Sequence, residues 1–164
     1  MGRVAKKSKL IYSPVTIYTD GSFYSTTGSG GWGAYIETDS ITTNISGSEI
    51  NTTNNRMELT AVIKALETLQ VPCRVSLYSD SQYVVNMIAK KWINRWAKNG
   101  WKSYNIMTGK KKEIKNIDLI KRLYELLQFH QVDAVWVKAH ADNNLNNFVD
   151  TLARKANDAL CRTL

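Results

Sequence analysis

Cysteine is scarce in this chain of 164 residues: Cys73 and Cys161 are too few for a disulfide scaffold, and their spacing suits no metal site. Both read as reduced thiols, so a reducing compartment is expected. No apolar run approaches the ~18 residues that a membrane span needs, and no membrane-spanning protein is expected. The opening MGRVAKKSKLIYSP is basic but has no apolar core segment, which speaks against a secretory signal, and Lys6 stands where N-myristoylation needs Ser or Thr. A cytoplasmic location is the expectation. Low-complexity linkers and repeats of 20–50 residues are also missing. What remains is one domain of ordinary size, and an apolar content of 43% is enough for a packed core.

Charge is where the composition becomes informative. Lys and Arg total 22 against 14 Asp and Glu, a net +8. Nine of the basic residues lie between Lys90 and Lys115 with one acid, Glu113, so this stretch carries the whole excess and the rest of the chain is balanced. Three of the five tryptophans, Trp92, Trp96 and Trp101, share the segment. Basic residues interleaved with aromatics suit a polyanion whose sugars and bases offer flat faces. The other reading, a solvated helix face with tryptophans packed inward, stays open at this point.

The order of elements follows from periodicity. Residues 1–13 read as a loose basic arm ended by Pro14, and residues 14–164 as a single domain with a basic protrusion at about 90–115. Val15–Thr19 alternates as a strand does, a Gly- and Ser/Thr-rich turn spans Gly21 to Gly33, and strand-like runs follow at Trp32–Thr38 and Ile41–Gly47 around a hairpin at Asp39-Ser40. Arg56–Gln70 is helical by the spacing of Leu59, Val62, Ile63, Leu66 and Leu69, and Pro72 stops it. Arg74–Ser79 returns to strand alternation. Ser81–Ala89 and Trp92–Lys98 read as short helices, followed by a loop through the lysine cluster. Asn116 and Asp118 offer caps for a further helix. Val132–Val137 reads as the last strand and Asn146–Cys161 as the last helix. The sum is an α/β domain around a mixed five-stranded sheet flanked by helices.

Two of these strands end alike, in Ile17-Tyr-Thr-Asp20-Gly-Ser and Leu77-Tyr-Ser-Asp80-Ser-Gln. Open α/β sheets hold their ligands at the C-terminal strand edge. On parallel neighbouring strands the two carboxylates would lie a few ångströms apart and repel unless a proton or a cation joined them. Hard oxygen ligands without a His/Cys cluster point to Mg²⁺ or Mn²⁺. Each acid also has an ordinary explanation. Asp20 and Asp80 could be turn residues, Glu58 could answer a helix dipole in the first turn, and Asp150 could pair with Arg154 one turn on. His140 could be a surface loop histidine.

Several motifs together resemble the type 1 ribonuclease H family. They are Thr19-Asp20-Gly-Ser22, Thr52-Thr-Asn-Asn-Arg-Met-Glu58-Leu, Ser79-Asp80-Ser-Gln-Tyr-Val, the basic protrusion Trp92-Ile-Asn-Arg-Trp-Ala-Lys-Asn-Gly-Trp101-Lys, and Val137-Lys-Ala-His140 followed by Asn146, Asp150 and Leu152-Ala-Arg154. The resemblance runs in order from about Val15 to Leu160. It implies the ribonuclease H-like fold and metal-dependent hydrolysis of the RNA strand of an RNA–DNA hybrid, leaving 5′-phosphate and 3′-hydroxyl ends, with little sequence preference.

By the same resemblance Asp20, Glu58, Asp80 and Asp150 are the metal-binding carboxylates of a two-ion Mg²⁺ site, with Mn²⁺ as a substitute, and His140 assists proton transfer or product departure. Ser22, Asn54, Asn55 and Gln82 would contact the hybrid. Thr53 and Asn116 would hold a DNA-strand phosphate, and Trp92, Trp96, Lys98 and Trp101 would line the DNA-strand channel. The partner implied is the hybrid duplex, and a monomer is expected. The chain departs from the family pattern in its turn at residues 23–30, in Ala139, in Asn147 where many members carry Glu, in Asn51 where a basic residue is frequent, in one extra residue at Lys90-Lys91, and in a longer loop from Ser103 to Lys112. Two other readings compete: a transposase or junction nuclease on the same fold, and a non-catalytic hybrid-binding module whose carboxylates hold a structural metal.

Overall fold

A computed structural model describes residues 12–164. The arm expected over residues 1–13 lies outside the described residues except for Tyr12 and Ser13, and Ser13 already opens the first strand. The elements are β1 (Ser13–Tyr24), β2 (Ser29–Glu37), β3 (Thr42–Glu49), α1 (Asn54–Glu67), β4 (Cys73–Ser79), α2 (Gln82–Ala89), α3 (Trp92–Lys98), β5 (Lys102–Tyr104), β6 (Lys111–Glu113), α4 (Ile117–Phe129), β7 (Gln131–Trp136) and α5 (Asn144–Cys161). The main sheet has five strands in the order β3-β2-β1-β4-β7. β1 pairs antiparallel with β2 and parallel with β4, and β4 pairs parallel with β7. The mixed five-stranded sheet read from the sequence is therefore present, and β5 and β6 form a separate two-stranded ribbon.

The largest departure from the sequence reading is at β1. It runs on to Tyr24, paired with β2 as far as Ser29, where a long turn was expected. Gly21, Gly30, Gly31 and Gly33 of that stretch are small for packing rather than for turning. A Cβ on Gly21 would stand 2.7 Å from the backbone nitrogen of Glu58 in α1. One on Gly31 would stand 2.1 Å from the Ala153 carbonyl oxygen in α5, and one on Gly33 would stand 2.9 Å from the Val149 carbonyl oxygen. Side chains alternate between the faces of a strand, so Gly30 against Met57 and Gly31 against Ala153 put α1 and α5 on opposite faces of β2. The turn itself is short. Gly28, at φ 66°, donates its N–H to the Tyr24 carbonyl at 2.9 Å.

The core lies between the sheet and α1, with α4 beyond. Ile17, Val75 and Leu77 of the strands meet Leu59, Val62 and Leu66 of α1 and Ile120 and Leu123 of α4. His130, buried at the end of α4, accepts the Cys73 N–H on Nδ1 at 3.0 Å, which ties α4 to the start of β4. Burial lowers its pKa and keeps that nitrogen free to accept. On the α5 face Asn157 is fully buried. It accepts from the Ser29 hydroxyl at 2.7 Å and donates to the Ser29 carbonyl at 3.2 Å, and this clips the β1–β2 hairpin to the helix.

Two expectations need correction. Asn116 precedes α4 in the left-handed region at φ 61° and makes no side-chain cap; its amide oxygen accepts from Arg56 Nη1 at 3.5 Å and its nitrogen donates to the Tyr83 hydroxyl at 3.3 Å. Asp118 is held by both terminal nitrogens of Arg56, at 3.0 and 2.8 Å, which draws its pKa down to about 2. No helix among the described residues is long and apolar enough to cross a membrane.

Close helix–sheet approach predicts the cost of adding one carbon. Gly31→Ala should lower the stability measured by chemical denaturation by about 1–3 kcal/mol, because the Ala153 backbone cannot turn aside as a side chain would. Unchanged stability would mean that α5 does not rest on the β2 backbone.

Candidate active site

Parallel pairing of β1 with β4 aligns Tyr18 with Tyr78, and carrying the register two residues further brings Asp20 opposite Asp80. Both strands are held in line there. The Tyr18 and Tyr78 rings stack at 4.6 Å, and Val137 N–H donates to the Ser79 carbonyl at 3.0 Å. β4 ends at Ser79, whose hydroxyl accepts the Ser81 N–H at 3.0 Å. Ser81 in turn caps α2 by accepting from the Val84 N–H. The Trp136 indole donates to the Asp80 carbonyl at 3.1 Å. Asp80 therefore sits on a stretch of backbone fixed from both sides.

Glu58 reaches the same point from α1. The helix begins at Asn54, capped by Thr53, which accepts the Arg56 N–H at 3.2 Å. Its first turn contains no acid, so the helix-dipole explanation of Glu58 fails. The residue lies in the second turn, 4% exposed, and the missing Cβ of Gly21 lets the α1 backbone come down beside β1. One carboxylate oxygen from each of Asp20, Glu58 and Asp80 lies within 4.8 Å of the others. Glu58 Oε2 is buried without a hydrogen-bond partner, an orphaned acceptor on one of the three clustered acids.

Crowding and burial dominate the electrostatics. Burial, and then the charge of Asp80, push the Asp20 pKa up to about 8. Burial and the charges of Asp20 and Asp80 hold Glu58 well above the carboxylate range. Asp80 is raised by burial too, but less freely, because a hydrogen bond with Asp20, a hydrogen bond from Asn146 and the nearby His140 pull it down. Three acids that resist ionising together fit a site that a divalent cation completes. The all-oxygen donor set suits a hard ion.

Asp150 is close enough to raise Asp20 and Asp80 but lies outside the trio. It pairs with Arg154 at 3.2 Å, as its spacing suggested. His140 is exposed in the turn before α5, at φ 55°. That turn is tethered by Asn147, whose amide donates to the Ala141 carbonyl at 3.2 Å, a bond that a glutamate could not make. Asn146 is the residue whose part the sequence reading missed. It is 1% exposed, lies close enough to Asp80 to pull that carboxyl's pKa down, and leaves its own oxygen without a partner. Its place in the last motif was the signal available.

Around the carboxylates, Asn54 and Asn55 are exposed at the start of α1, and Gln82 is exposed at the start of α2. Ser22 is buried, its hydroxyl accepting from Asn157 at 3.5 Å. In the basic segment Lys98 is exposed, while Trp96 and Trp101 pack against the core and Trp101 meets Tyr124 edge-on at 5.4 Å. For those two tryptophans the inward-packed reading holds. Trp92 lies 6.4 Å from Trp96 with Lys90 over its ring, and both tryptophans border an open groove with Arg95, Asn99, Lys102 and Tyr104.

Comparison with known proteins bears on the family and the fold. The RNase H family model matches residues 12–158. A protein named Ribonuclease H from Chlorobium phaeobacteroides (strain BS1) is 51% identical over 142 residues, covering 87% of this chain and 94% of that one. Its namesake from Moorella thermoacetica is 48% identical over 148 residues, covering 90% and 94%. Among solved structures, LC9-RNase H1, described as a type 1 RNase H with the type 2 active-site motif, superposes with a TM-score of 0.79 at 29% identity and covers 93% of this chain and 75% of that one. LC11-RNase H1, crystallised with an RNA/DNA hybrid, shares the fold with a TM-score of 0.65 at 23% identity, covering 90% and 99%. With a family match over nearly the whole described chain, half-identical relatives and the sheet of the type 1 enzymes, this chain belongs to the RNase H family.

Proposed function

We propose that this protein is a metal-dependent endoribonuclease that hydrolyses the RNA strand of RNA–DNA hybrids, leaving 5′-phosphate and 3′-hydroxyl ends. The observation that carries the reading is the convergence of Asp20, Glu58 and Asp80 on one point, the first two buried, the third half-buried, and all short of counter-charge. A pair of divalent ions, Mg²⁺ or in its place Mn²⁺, supplies activation of a water on one side of a phosphodiester and stabilisation of the leaving oxygen on the other. Asp20, Glu58, Asp80 and Asp150 would hold the ions, Asp20 being flanked by the other acids.

The chain's own groups do the rest. Asn146 orients the Asp80 carboxylate. His140, beside Asp80 on a turn that Asn147 restrains, moves a proton at the reacting phosphate and assists product departure. Asn54, Asn55 and Gln82 are exposed at two helix starts, and their amides can both donate to and accept from a 2′-hydroxyl, the group that distinguishes RNA from DNA. Thr53 and Asn116 hold a phosphate of the DNA strand, which the Trp92–Trp96 groove, Trp101 and Lys98 continue to guide. These contacts address backbone and shape, so sequence preference is small. Ser22 acts near the RNA strand through its position in β1 rather than through its buried hydroxyl. Nothing in this scheme needs a second copy of the chain or a membrane.

An assay with end-labelled RNA tests the reading, comparing the hybrid with RNA–RNA, DNA–DNA and single-stranded RNA in Mg²⁺ and in EDTA. Cutting of the hybrid's RNA strand alone, with metal alone, and its loss in Asp80→Asn without loss of folding or hybrid binding, are the expected results. Binding without cutting in both Mg²⁺ and Mn²⁺ would turn the protein into a non-catalytic hybrid-binding module.

The raised carboxylates also set a pH dependence. Asp20 keeps its proton up to about pH 8 in the fold but loses it near the ordinary 3.8 when unfolded. Between those values the folded state binds more protons, so its stability declines as the pH rises. In EDTA the thermal midpoint should fall across that window less in Asp20→Asn than in the wild type, and Mg²⁺ should restore the wild type by taking the proton's place. Equal slopes for the two proteins, with no response to Mg²⁺, would remove Asp20 from the cluster.

A further inference from the structure

The carboxylate site does not account for the far end of the β5–β6 ribbon. Lys102, Ser103 and Tyr104 pair with Glu113, Lys112 and Lys111, and the connection is an ordered turn. Asn105 N–H donates to the Lys110 carbonyl at 3.0 Å, and Gly109 N–H donates to the Asn105 carbonyl at 2.8 Å. The Asn105 side chain accepts from the Met107 and Thr108 N–H groups at 2.9 and 3.3 Å. This bonding fixes the backbone and turns two large apolar side chains outward: Ile106 is 97% exposed and Met107 93%. Isolated exposed apolar residues are common, but an adjacent pair at the tip of a hydrogen-bonded turn has no packing role in the fold. Lys110 closes the same turn, and Lys111 and Lys112 follow on β6, with Lys111 over the Tyr104 ring.

We infer that the Ile106–Met107 tip is a second contact for duplex nucleic acid, separate from the cleavage site, in which the two apolar side chains lie against the sugars of a groove while the flanking lysines meet its phosphate walls. The inference rests on the proposed hybrid nuclease activity and extends it. Two observations select this occupant. An apolar tip followed closely by three ammonium groups complements a groove whose floor is carbon-rich and whose rims are anionic. The ribbon is also continuous with the Trp92–Trp96 groove, since Lys102 and Tyr104 border that groove and belong to β5. A duplex running from the carboxylates past Trp92 is thereby led toward the tip. The consequence is a footprint longer than cleavage requires, and a preference for long hybrids over short ones.

The test is the variant Ile106→Ser with Met107→Ser, measured on hybrids of increasing length. Neither side chain supports the fold, so the melting temperature should not move, and no charge is removed, so the salt dependence of binding should keep its slope. Affinity for long hybrids should fall about tenfold, the effect of taking two partly buried aliphatic side chains off a surface. Affinity and turnover on the shortest cleavable hybrid should match the wild type. Equal affinity of variant and wild type at every length would overturn the inference, as would an equal loss at every length. Binding of the wild type to anionic phospholipid vesicles that disappears in the variant, with hybrid binding unaffected, would assign the tip to a lipid surface and overturn it as well. Failure of the underlying activity looks different, because then the wild type would cut no hybrid of any length.

Discussion

Three carboxylates held within 4.8 Å of one another, on ground mostly closed to water, are the constraint around which the molecule is arranged. Such a cluster opposes folding unless protons or cations neutralise it, so the fold has to force it together and hold it there. Parallel pairing of β1 and β4 sets Asp20 against Asp80, and Gly21 admits the α1 backbone that brings Glu58. The Trp136 indole, Ser79 and Ser81 fix the chain on either side of Asp80, and Asn146 of α5 stands near it. The apolar packing of α1 and α4 on the sheet offsets the repulsion, and a site short of positive charge is the result.

Away from the carboxylates the charge reverses. The whole net excess of the chain lies between Lys90 and Lys115, on α3 and the β5–β6 ribbon. An anionic centre that needs cations and a cationic arm that needs anions suit a polyanion brought in by one and cut at the other. The two parts meet through ordinary structure. Trp96 and Trp101 root the basic segment in the core and leave Trp92 and the lysines to face outward.

Much of this was readable from residue order, because alternation and helical spacing are direct consequences of geometry. The alike endings Ile17-Tyr-Thr-Asp20 and Leu77-Tyr-Ser-Asp80 point to one strand edge, and the structure brings the two aspartates together there. The failures have physical causes. Glycines between Gly21 and Gly33 look the same in sequence whether they turn a chain or admit a helix, so β1 was cut short at Thr19. β5 and β6 have three residues each, too few to show a period. Apolar spacing places Glu58 in a first turn, whereas α1 begins two residues earlier than that spacing indicates. Asn146 carried a motif but no charge, and only its burial against Asp80 gave it a part to play. Asn147, by contrast, looked like a loss of a carboxylate, and its amide proves to hold the His140 turn in a way that only a donor can.

The central claim, that the buried acids are a cation site, is most directly tested by anomalous diffraction from a crystal of the protein soaked in Mn²⁺. The account predicts manganese peaks at the cluster, one ligated by Asp20, Glu58 and Asp80 and, with hybrid bound, a second on the Asp150 side about 3.5–4 Å away. A map with no peak at these residues, in a crystal that binds manganese elsewhere, would contradict it.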